Sequence, residues 1–104
     1  SDVIDSSVSE TESWRSRKQA AIDRLSSASL EAKMVALGDK LSNMRAIARD
    51  YKKSGDKLWE IFHAPGGKSD HEWYYRGLAE ALSDLEGTDA YAEFISLIDE
   101  VFKR

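Results

Sequence analysis

The chain has 104 residues, a formal net charge of −4 and no cysteine, so we expect one small domain or a piece of a larger one. Its 41% hydrophobic and 33% charged residues are typical of a soluble globular protein. The acidic balance disfavours a nucleic-acid partner, and the lack of cysteine excludes disulfides and thiolate metal sites. No apolar run reaches the length of a membrane span, which argues against a membrane partner. The polar start, SDVIDSSVSETES, has no signal-peptide pattern, so we expect a cytoplasmic protein.

The predicted elements are all helices, because valine and isoleucine are sparse and never alternate with polar residues over the length of a strand. Residues 1–12 are rich in serine and acidic side chains and are predicted to form a loose lead-in. Residues 13–104 are predicted to form the helical portion. The predicted helices, in chain order, cover residues 13–27, 30–53, 56–63, 70–86 and 89–103. The fold class is therefore all-α, a bundle of about five helices.

Capping residues support several of these boundaries. Ser29 and Thr88 are each expected to cap the helix that follows, by accepting a hydrogen bond from a free backbone N–H. Ser69, with Glu72 three residues later, has the pattern of a capping box. The second helix carries a long apolar stripe at alternating steps of four and three residues. Its members are Leu30, Met34, Leu37, Leu41, Met44, Ala48 and Tyr51.

The opposite face of the second helix carries Asp39 and Asn43 among small apolar residues. Its other members are Ala32, Val35, Ala36, Ala46 and Asp50. A solvated helix face normally carries lysine and glutamate, so this face is predicted to be half-buried. Gly38 costs about 1 kcal/mol relative to alanine inside a helix, which indicates close packing or access there. The alternative is an ordinary exposed aspartate paired with Arg45 or Lys40.

The stretch LGDKLSNMR, residues 37–45, resembles a conserved segment of HD-domain metal-dependent phosphohydrolases. More specifically, it is similar to the RelA/SpoT type of alarmone hydrolase and its small single-domain relatives. That segment typically has Leu-Ala-Asp-Lys/Arg-Leu-x-Asn-Leu/Met-Arg, and Gly38 stands where alanine is usual. The resemblance extends through RSRKQAAIDRL upstream and through DYKKSGDKLWEIF and HEWYYRGLAEAL downstream. It covers the chain from about Trp14 to Leu85.

The resemblance implies roles for particular residues. Asp39 matches the last ligand of a single divalent metal, usually manganese, and Asn43 matches an asparagine that contacts the nucleotide. Tyr74 matches a substrate-contacting tyrosine of the small relatives, and Arg17 with Lys18 matches a basic pair near the phosphates. The implied reaction removes pyrophosphate from the 3′ position of guanosine tetra- or pentaphosphate. A guanosine polyphosphate is therefore the partner implied for the intact protein.

The earlier half of the family's active site has no counterpart in the sequence. The family uses a His … His-Asp set for the other three metal ligands and a Glu-Asp pair for the attacking water. The only histidines, His63 and His71, follow Asp39, and neither precedes an aspartate. We therefore expect the chain to be the C-terminal portion of an HD-type domain, with no catalytic residue of its own. A lone Asp39 should hold a metal only weakly, because oxygen-favouring cations need several ligands.

Two further clusters have competing interpretations. His63 and His71 are expected to be surface or loop-packing histidines rather than metal ligands. In Trp73-Tyr74-Tyr75-Arg76, the tryptophan and one tyrosine are expected in the core, whereas Tyr74 either joins them or stacks on a ligand. The basic cluster of Arg15, Arg17 and Lys18 either is solvated or binds phosphate.

A rival class is an all-helical interaction or regulatory module, including a degenerate HD domain without catalysis. In either class the face around Asp39 needs a cover. The lead-in or the C-terminal helix could fold across it, or two copies could associate through it as a two-fold homodimer. We expect the homodimer, because the lead-in is too polar to cover an apolar face well.

Overall fold

The computed structural model describes residues 10–62 and 66–102. Its elements are α1 (Glu10–Ser26), α2 (Leu30–Ser54), a 3₁₀ helix (Gly55–Ile61), α3 (Lys68–Ala81), a short 3₁₀ turn (Ser83–Leu85) and α4 (Asp89–Val101). No strand occurs in these ranges, so the all-α prediction is confirmed. Predictions for residues 1–9, for His63 and for the last two residues lie outside the described residues.

The predicted boundaries needed three corrections. Residues 10–12 belong to α1 and not to a loose lead-in. The third predicted helix is a 3₁₀ helix, entered through Gly55, whose φ of 58° is in the left-handed region. The helix predicted to reach residue 86 stops at Ala81, and the separate turn Ser83–Leu85 follows.

Two of the three predicted caps are present. The Ser29 hydroxyl accepts a hydrogen bond from the backbone N–H of Ala32 at 3.1 Å, and Thr88 accepts one from that of Tyr91 at 3.2 Å. The capping box of Ser69 and Glu72 is wrong, because α3 begins earlier, after Gly67.

At the N-terminus of α3 the carboxylate of Asp70 makes the stabilising contacts. Asp70, which is 1% exposed, accepts a hydrogen bond from the backbone N–H of Gly66 at 2.7 Å. Arg15 of α1 reaches the other oxygen of the same carboxylate with Nε at 2.9 Å and with its terminal nitrogen at 2.8 Å. A buried carboxylate needs such partners. Asp70 thereby joins α1, α3 and the segment that precedes α3.

The core lies between two interleaved helix pairs, since α1 packs mainly against α3 and α2 packs mainly against α4. The inner side of α2 and the buried side of α3 supply equal shares of its residues, and most of the predicted stripe of α2 is confirmed. Buried residues of the inner side of α2 are Leu37, Leu41, Met44, Ile47 and Ala48.

The first two members of the predicted stripe are not buried. Leu30 is 56% and Met34 is 60% exposed. Lys33 takes the buried position at this end of α2, where its Nζ lies 2.6 Å from a carboxylate oxygen of Asp84 in the short 3₁₀ turn. The short 3₁₀ turn packs against α2 on the side of Lys33, so Lys33 is covered while Leu30 and Met34 remain exposed.

No helix in the described ranges is both long and apolar enough to cross a membrane.

Candidate functional site

A cavity of about 310 Å³ lies where α1, α2 and α3 meet. It combines aromatic surface with two ammonium groups, an amide and an imidazole. Its lining residues are Trp14, Lys18, Lys40, Asn43, Phe62, His71, Tyr74 and Tyr75. Three residues that the resemblance associates with substrate, Lys18, Asn43 and Tyr74, therefore line one cavity although they come from three helices.

Two lysines from different helices approach the same ring. The Nζ of Lys18 lies 4.9 Å from the centre of the Tyr74 ring, and the Nζ of Lys40 lies 5.9 Å from it. The pKa of Lys18 is lowered, first by burial and then by the positive charges of Lys40 and Arg17. Among the described residues no carboxylate pairs with Lys18 within 4.0 Å. Of the two cavity lysines, Lys40 has Asp39 at 3.9 Å, whereas Lys18 has no such partner among the described residues.

Tyr74 is confirmed in the core, and its stacking on a ligand stays a prediction. It is buried in the core and also lines the cavity, with its ring under the Lys18 ammonium group. Tyr75 is buried beside it, and burial first, followed by the field of Tyr74 and Asp39, raises the pKa of Tyr75 to about 12. Trp73 is only partly buried and packs against Arg15, whose guanidinium carbon is 4.8 Å from the ring centre.

Arg17 does not share the cavity with Lys18. Its side chain is exposed and donates a hydrogen bond to the Ser13 hydroxyl at 2.8 Å, one turn earlier on α1. The two residues are adjacent in sequence and therefore point about 100° apart on the helix. Arg17 contributes positive field at Lys18 rather than a contact inside the cavity.

Asp39 lies outside the cavity, on the outer face of α2, with 69% of its side chain exposed. Its nearest cation is Lys40, at 3.9 Å. Arg45, the other predicted partner, instead forms a two-pronged pair with Glu93 of α4 at 2.6 Å for each contact. That pair lowers the pKa of Glu93, chiefly through the hydrogen bonds.

Of the metal ligands that the resemblance implies, only Asp39 is among the described residues. Asp39 offers an accessible carboxylate, which suits a hard divalent cation. No group of three or more histidine, aspartate or glutamate side chains that could hold a metal occurs in residues 10–62 and 66–102. Asp39 thus fits the part of a single ligand, but these residues do not make a metal centre by themselves.

The outer face of α2 is more open than its sequence predicts. Val35 is 74% exposed, Ala32, Asp39 and Asn43 are also exposed, and Ala36, Ala46 and Asp50 are partly buried. Within the described residues this face stays open, and its cover by a second copy or by a body outside them stays a prediction. The C-terminal helix does not cover the face either, because α4 packs against the buried side of α2.

Gly38 belongs to the same open face. A Cβ atom built on it would meet no heavy atom within 4 Å, so packing inside the chain does not require a glycine. Glycine lowers the stability of a helix relative to alanine, and no close contact within the described residues explains its presence here. A molecule packed against this face from outside could approach the α2 backbone closely at Gly38, because glycine has no side chain.

His71 is the cavity residue whose role the sequence did not indicate. Its ring lies 4.7 Å from that of Phe62, 5.4 Å from that of Trp59 and 6.3 Å from that of Trp14, measured between centres. Its Nε2 is enclosed and has no hydrogen-bond partner among the described residues. The predicted loop-packing histidine is confirmed in part, since it packs against aromatic rings but also faces a cavity.

Lys40 and Trp14 also went unassigned in the sequence. The sequence suggests Lys40 only as a partner of Asp39 and suggests no role for Trp14. Helical phase is the one available signal. Trp14 and Lys18 are four residues apart, and Lys40 and Asn43 are three apart, so each pair shares a face. Their meeting depends on how α1 crosses α2 and α3, which the phase does not give.

No protein-family model matches the chain, no curated protein matches it, and no solved structure matches it.

Proposed function

We propose that the chain is the C-terminal portion of an HD-type metal-dependent phosphohydrolase that acts on guanosine 3′,5′-bispyrophosphate-type nucleotides. In this proposal the cavity of Lys18, Asn43 and Tyr74 holds part of the nucleotide. Asp39 supplies one ligand to a divalent metal, with manganese expected, and the remaining ligands come from outside the described residues. The reaction would release pyrophosphate from the 3′ position.

The convergence of Lys18, Asn43 and Tyr74 on one cavity carries the proposal. The motif that contains Asn43 says nothing about α1 or α3, so their meeting is an independent observation. The chemistry also suits a nucleotide. Aromatic rings offer stacking surface, an amide offers directional hydrogen bonds, and ammonium groups attract phosphate.

The placement of Asp39 agrees with a site completed from outside. Asp39 and Asn43 are four residues apart on α2, so their side chains lie one turn from each other. The carboxylate is open to solvent while the amide borders the cavity. A metal in such a site would generate a hydroxide-like nucleophile from bound water. This chain's own residues would hold the nucleotide beside it.

The proposal is tested in the protein encoded by the longer reading frame, if that frame contains a His-Asp segment upstream. Hydrolysis of guanosine tetraphosphate is measured with manganese, together with metal content. Asp39→Asn removes a charged ligand and is expected to abolish activity and lower metal content. Asn43→Ala is expected to raise KM or lower kcat with the metal retained.

Matched controls lie on the same helix. Asp50→Asn removes another α2 carboxylate, one that faces Arg49 at 3.7 Å, and should leave activity unchanged. Ser42→Ala changes the exposed neighbour of Asn43 and should do the same. Full activity in Asp39→Asn, or a reading frame without any His-Asp segment, would refute the hydrolase proposal. The 104-residue chain alone is expected to show no turnover.

The second candidate is the interaction module, and the exposed apolar side chains of α2 favour it. Leu30 and Met34, in the inner stripe, are 56% and 60% exposed, and Val35, on the outer face with Asp39, is 74% exposed. A second copy could cover this face as a homodimer, in which each copy offers the same patch. Sedimentation across a concentration range tests this. Concentration-dependent dimers that Val35→Asp dissolves support self-association, and a monomer at every concentration rejects it.

A further inference from the structure

His71 carries a cost that packing alone does not explain. An enclosed ring nitrogen without a hydrogen-bond partner costs about 1–3 kcal/mol, and Nε2 of His71 is in that position among the described residues. A phenylalanine would fill the same aromatic surroundings of Trp14, Trp59 and Phe62 without this cost. Ring nitrogens distinguish an imidazole from a benzene ring in two ways, since they form hydrogen bonds and take up a proton. Nε2 of His71 makes no hydrogen bond among the described residues, which leaves proton uptake as its available chemistry.

Burial is the main effect that opposes proton uptake in the unliganded cavity, and the charge of Lys18 adds a smaller opposing effect. Burial lowers the pKa of His71, the charge of Asp70 raises it, and the charge of Lys18 lowers it again. His71 and Lys18 line the same cavity and share a neighbour. The Trp14 ring centre lies 5.7 Å from the Lys18 Nζ and 6.3 Å from the His71 ring centre.

The charged groups that face His71 come from each packed element. α1 contributes Lys18, and α2 contributes Lys40 to the same cavity. The 3₁₀ helix contributes Asp56, which is exposed and accepts a hydrogen bond from the Trp59 indole at 3.3 Å.

On α3 itself the neighbouring carboxylate is Asp70, and its charge is already engaged by the Arg15 guanidinium at 2.8 Å. The phenol of Tyr75, also on α3, has its pKa raised to about 12, so it stays neutral over the physiological range. The cavity wall beside His71 thus has two ammonium groups, and the Asp70 carboxylate, although paired with Arg15, partly offsets their charge at His71.

We propose that His71 is a proton-coupled element of this cavity, which takes up a proton when an anion such as sulfate or a phosphate group binds beside Lys18. The bound anion offsets the ammonium charge and favours the imidazolium form. Binding free energies are reciprocal, so the protonated form in turn binds the anion more tightly. The inference shares with the proposed function the premise that the cavity binds phosphate-like anions, but it requires neither a metal nor hydrolysis.

The sign of the pH dependence follows. Above pH 7 His71 is neutral, because its pKa lies below the ordinary value of 6.5. As the pH falls through and below that value, anion binding brings a proton with it, so affinity rises. At higher pH the lysines alone hold the anion, and affinity no longer changes with pH until the lysines titrate.

Sulfate is the probe, since its charge is constant between pH 5.5 and 8, and ionic strength is held with sodium chloride. Binding to the 104-residue chain is followed by tryptophan fluorescence or calorimetry in a His63→Gln background, which removes the other histidine. We expect affinity to rise about fivefold or more from pH 8 to pH 5.5, which is the weak end of typical coupling. With His71→Phe added, affinity should be independent of pH over this range.

A direct measurement accompanies the variant. Imidazole NMR signals of His71 should show that sulfate raises its pKa, and that this rise is lost in Lys18→Met, which keeps the stem over Tyr74 and removes the charge. Circular dichroism establishes that each variant is folded. Equal pH dependence with and without His71, an unchanged His71 pKa, or no sulfate binding at pH 5.5 would overturn the inference. Failed hydrolysis in the longer protein would reject the proposed function and leave this measurement standing.

Discussion

The inner and outer faces of α2 belong to one helix and meet different surroundings. On the inner face Met44 is fully buried and Leu37 is 3% exposed, because α4 and the 3₁₀ helix pack there. On the outer face Val35 is 74% exposed and Asp39 nearly as open. Both faces are mostly apolar or small in sequence. Composition alone therefore does not distinguish a face that this chain closes from one that a different body would close.

The difference teaches which residues hold the fold and which are free for other roles. A side chain in the inner face stabilises the chain as it stands. A side chain in the outer face contributes little to folding, so its chemistry can serve a ligand or a partner. Asp39 and Gly38 are both on the outer face, where neither has an internal packing reason.

The largest contrast is expected from truncating one apolar side chain on each face. Met44→Ala should lower the free energy of unfolding by about 2–5 kcal/mol, because it leaves a cavity in the core. Val35→Ala should change it by no more than about 0.5 kcal/mol. Urea unfolding of the 104-residue chain measures both. A loss of similar size at Val35 would mean that the outer face is already covered in solution.

An intermediate effect is expected from adding a methyl group at two glycines. Gly38→Ala should raise the free energy of unfolding by about 1 kcal/mol, because alanine favours the helix and nothing obstructs it. Gly66→Ala should lower it by about 1–3 kcal/mol, since its Cβ would lie 2.6 Å from the Asp70 carboxyl group that also bonds Arg15.

Gly38→Ala also sharpens the comparison between faces. If an external body approaches α2 at this point, the same substitution that stabilises the chain should weaken dimerisation or impair hydrolysis in the longer protein. If Gly38→Ala raises the free energy of unfolding and also strengthens dimerisation or hydrolysis, Gly38 is required for neither dimerisation nor hydrolysis.

The smallest effect on folding is expected from Asp39→Asn. Its only charged neighbour within 4.0 Å among the described residues is Lys40 at 3.9 Å, and exposed pairs of this kind contribute about 0–1 kcal/mol. The free energy of unfolding should therefore change by no more than about 0.5 kcal/mol at pH 7. Thermal and urea unfolding check this, and a larger loss would indicate a structural role that the exposed position does not show.

Much of the fold could be predicted from local signals. Ser29 and Thr88 mark their helix starts because each side chain satisfies a backbone N–H three residues later, which is a purely local event. The sequence does not indicate the role of Asp70 at the start of α3, because this carboxylate is buried against Arg15, which is 55 residues away in sequence. No pattern of neighbouring residues could rank Asp70 above Ser69.

The site was predictable only as separate pieces. The motif placed Asn43 on one face of α2, and the resemblance suggested Lys18 and Tyr74, but their common cavity follows from how three helices cross. For the same reason the sequence suggests Arg45 or Lys40 as the partner of Asp39, and only Lys40 lies next to it. Glu93 lies on α4 and reaches Arg45 across the α2–α4 contact, whereas Asp39 is close to it only in sequence.

The interleaved pairing of α1 with α3 and of α2 with α4 has a consequence for how the chain acquires its structure. No two consecutive long helices form the main contact of a hairpin, so neither half of the chain can complete a core on its own. Each pairing must close a loop that spans an intervening helix, and such closure slows folding relative to bundles built from local hairpins. During synthesis on the ribosome, α2 would have to wait for α4 before its inner face could be buried.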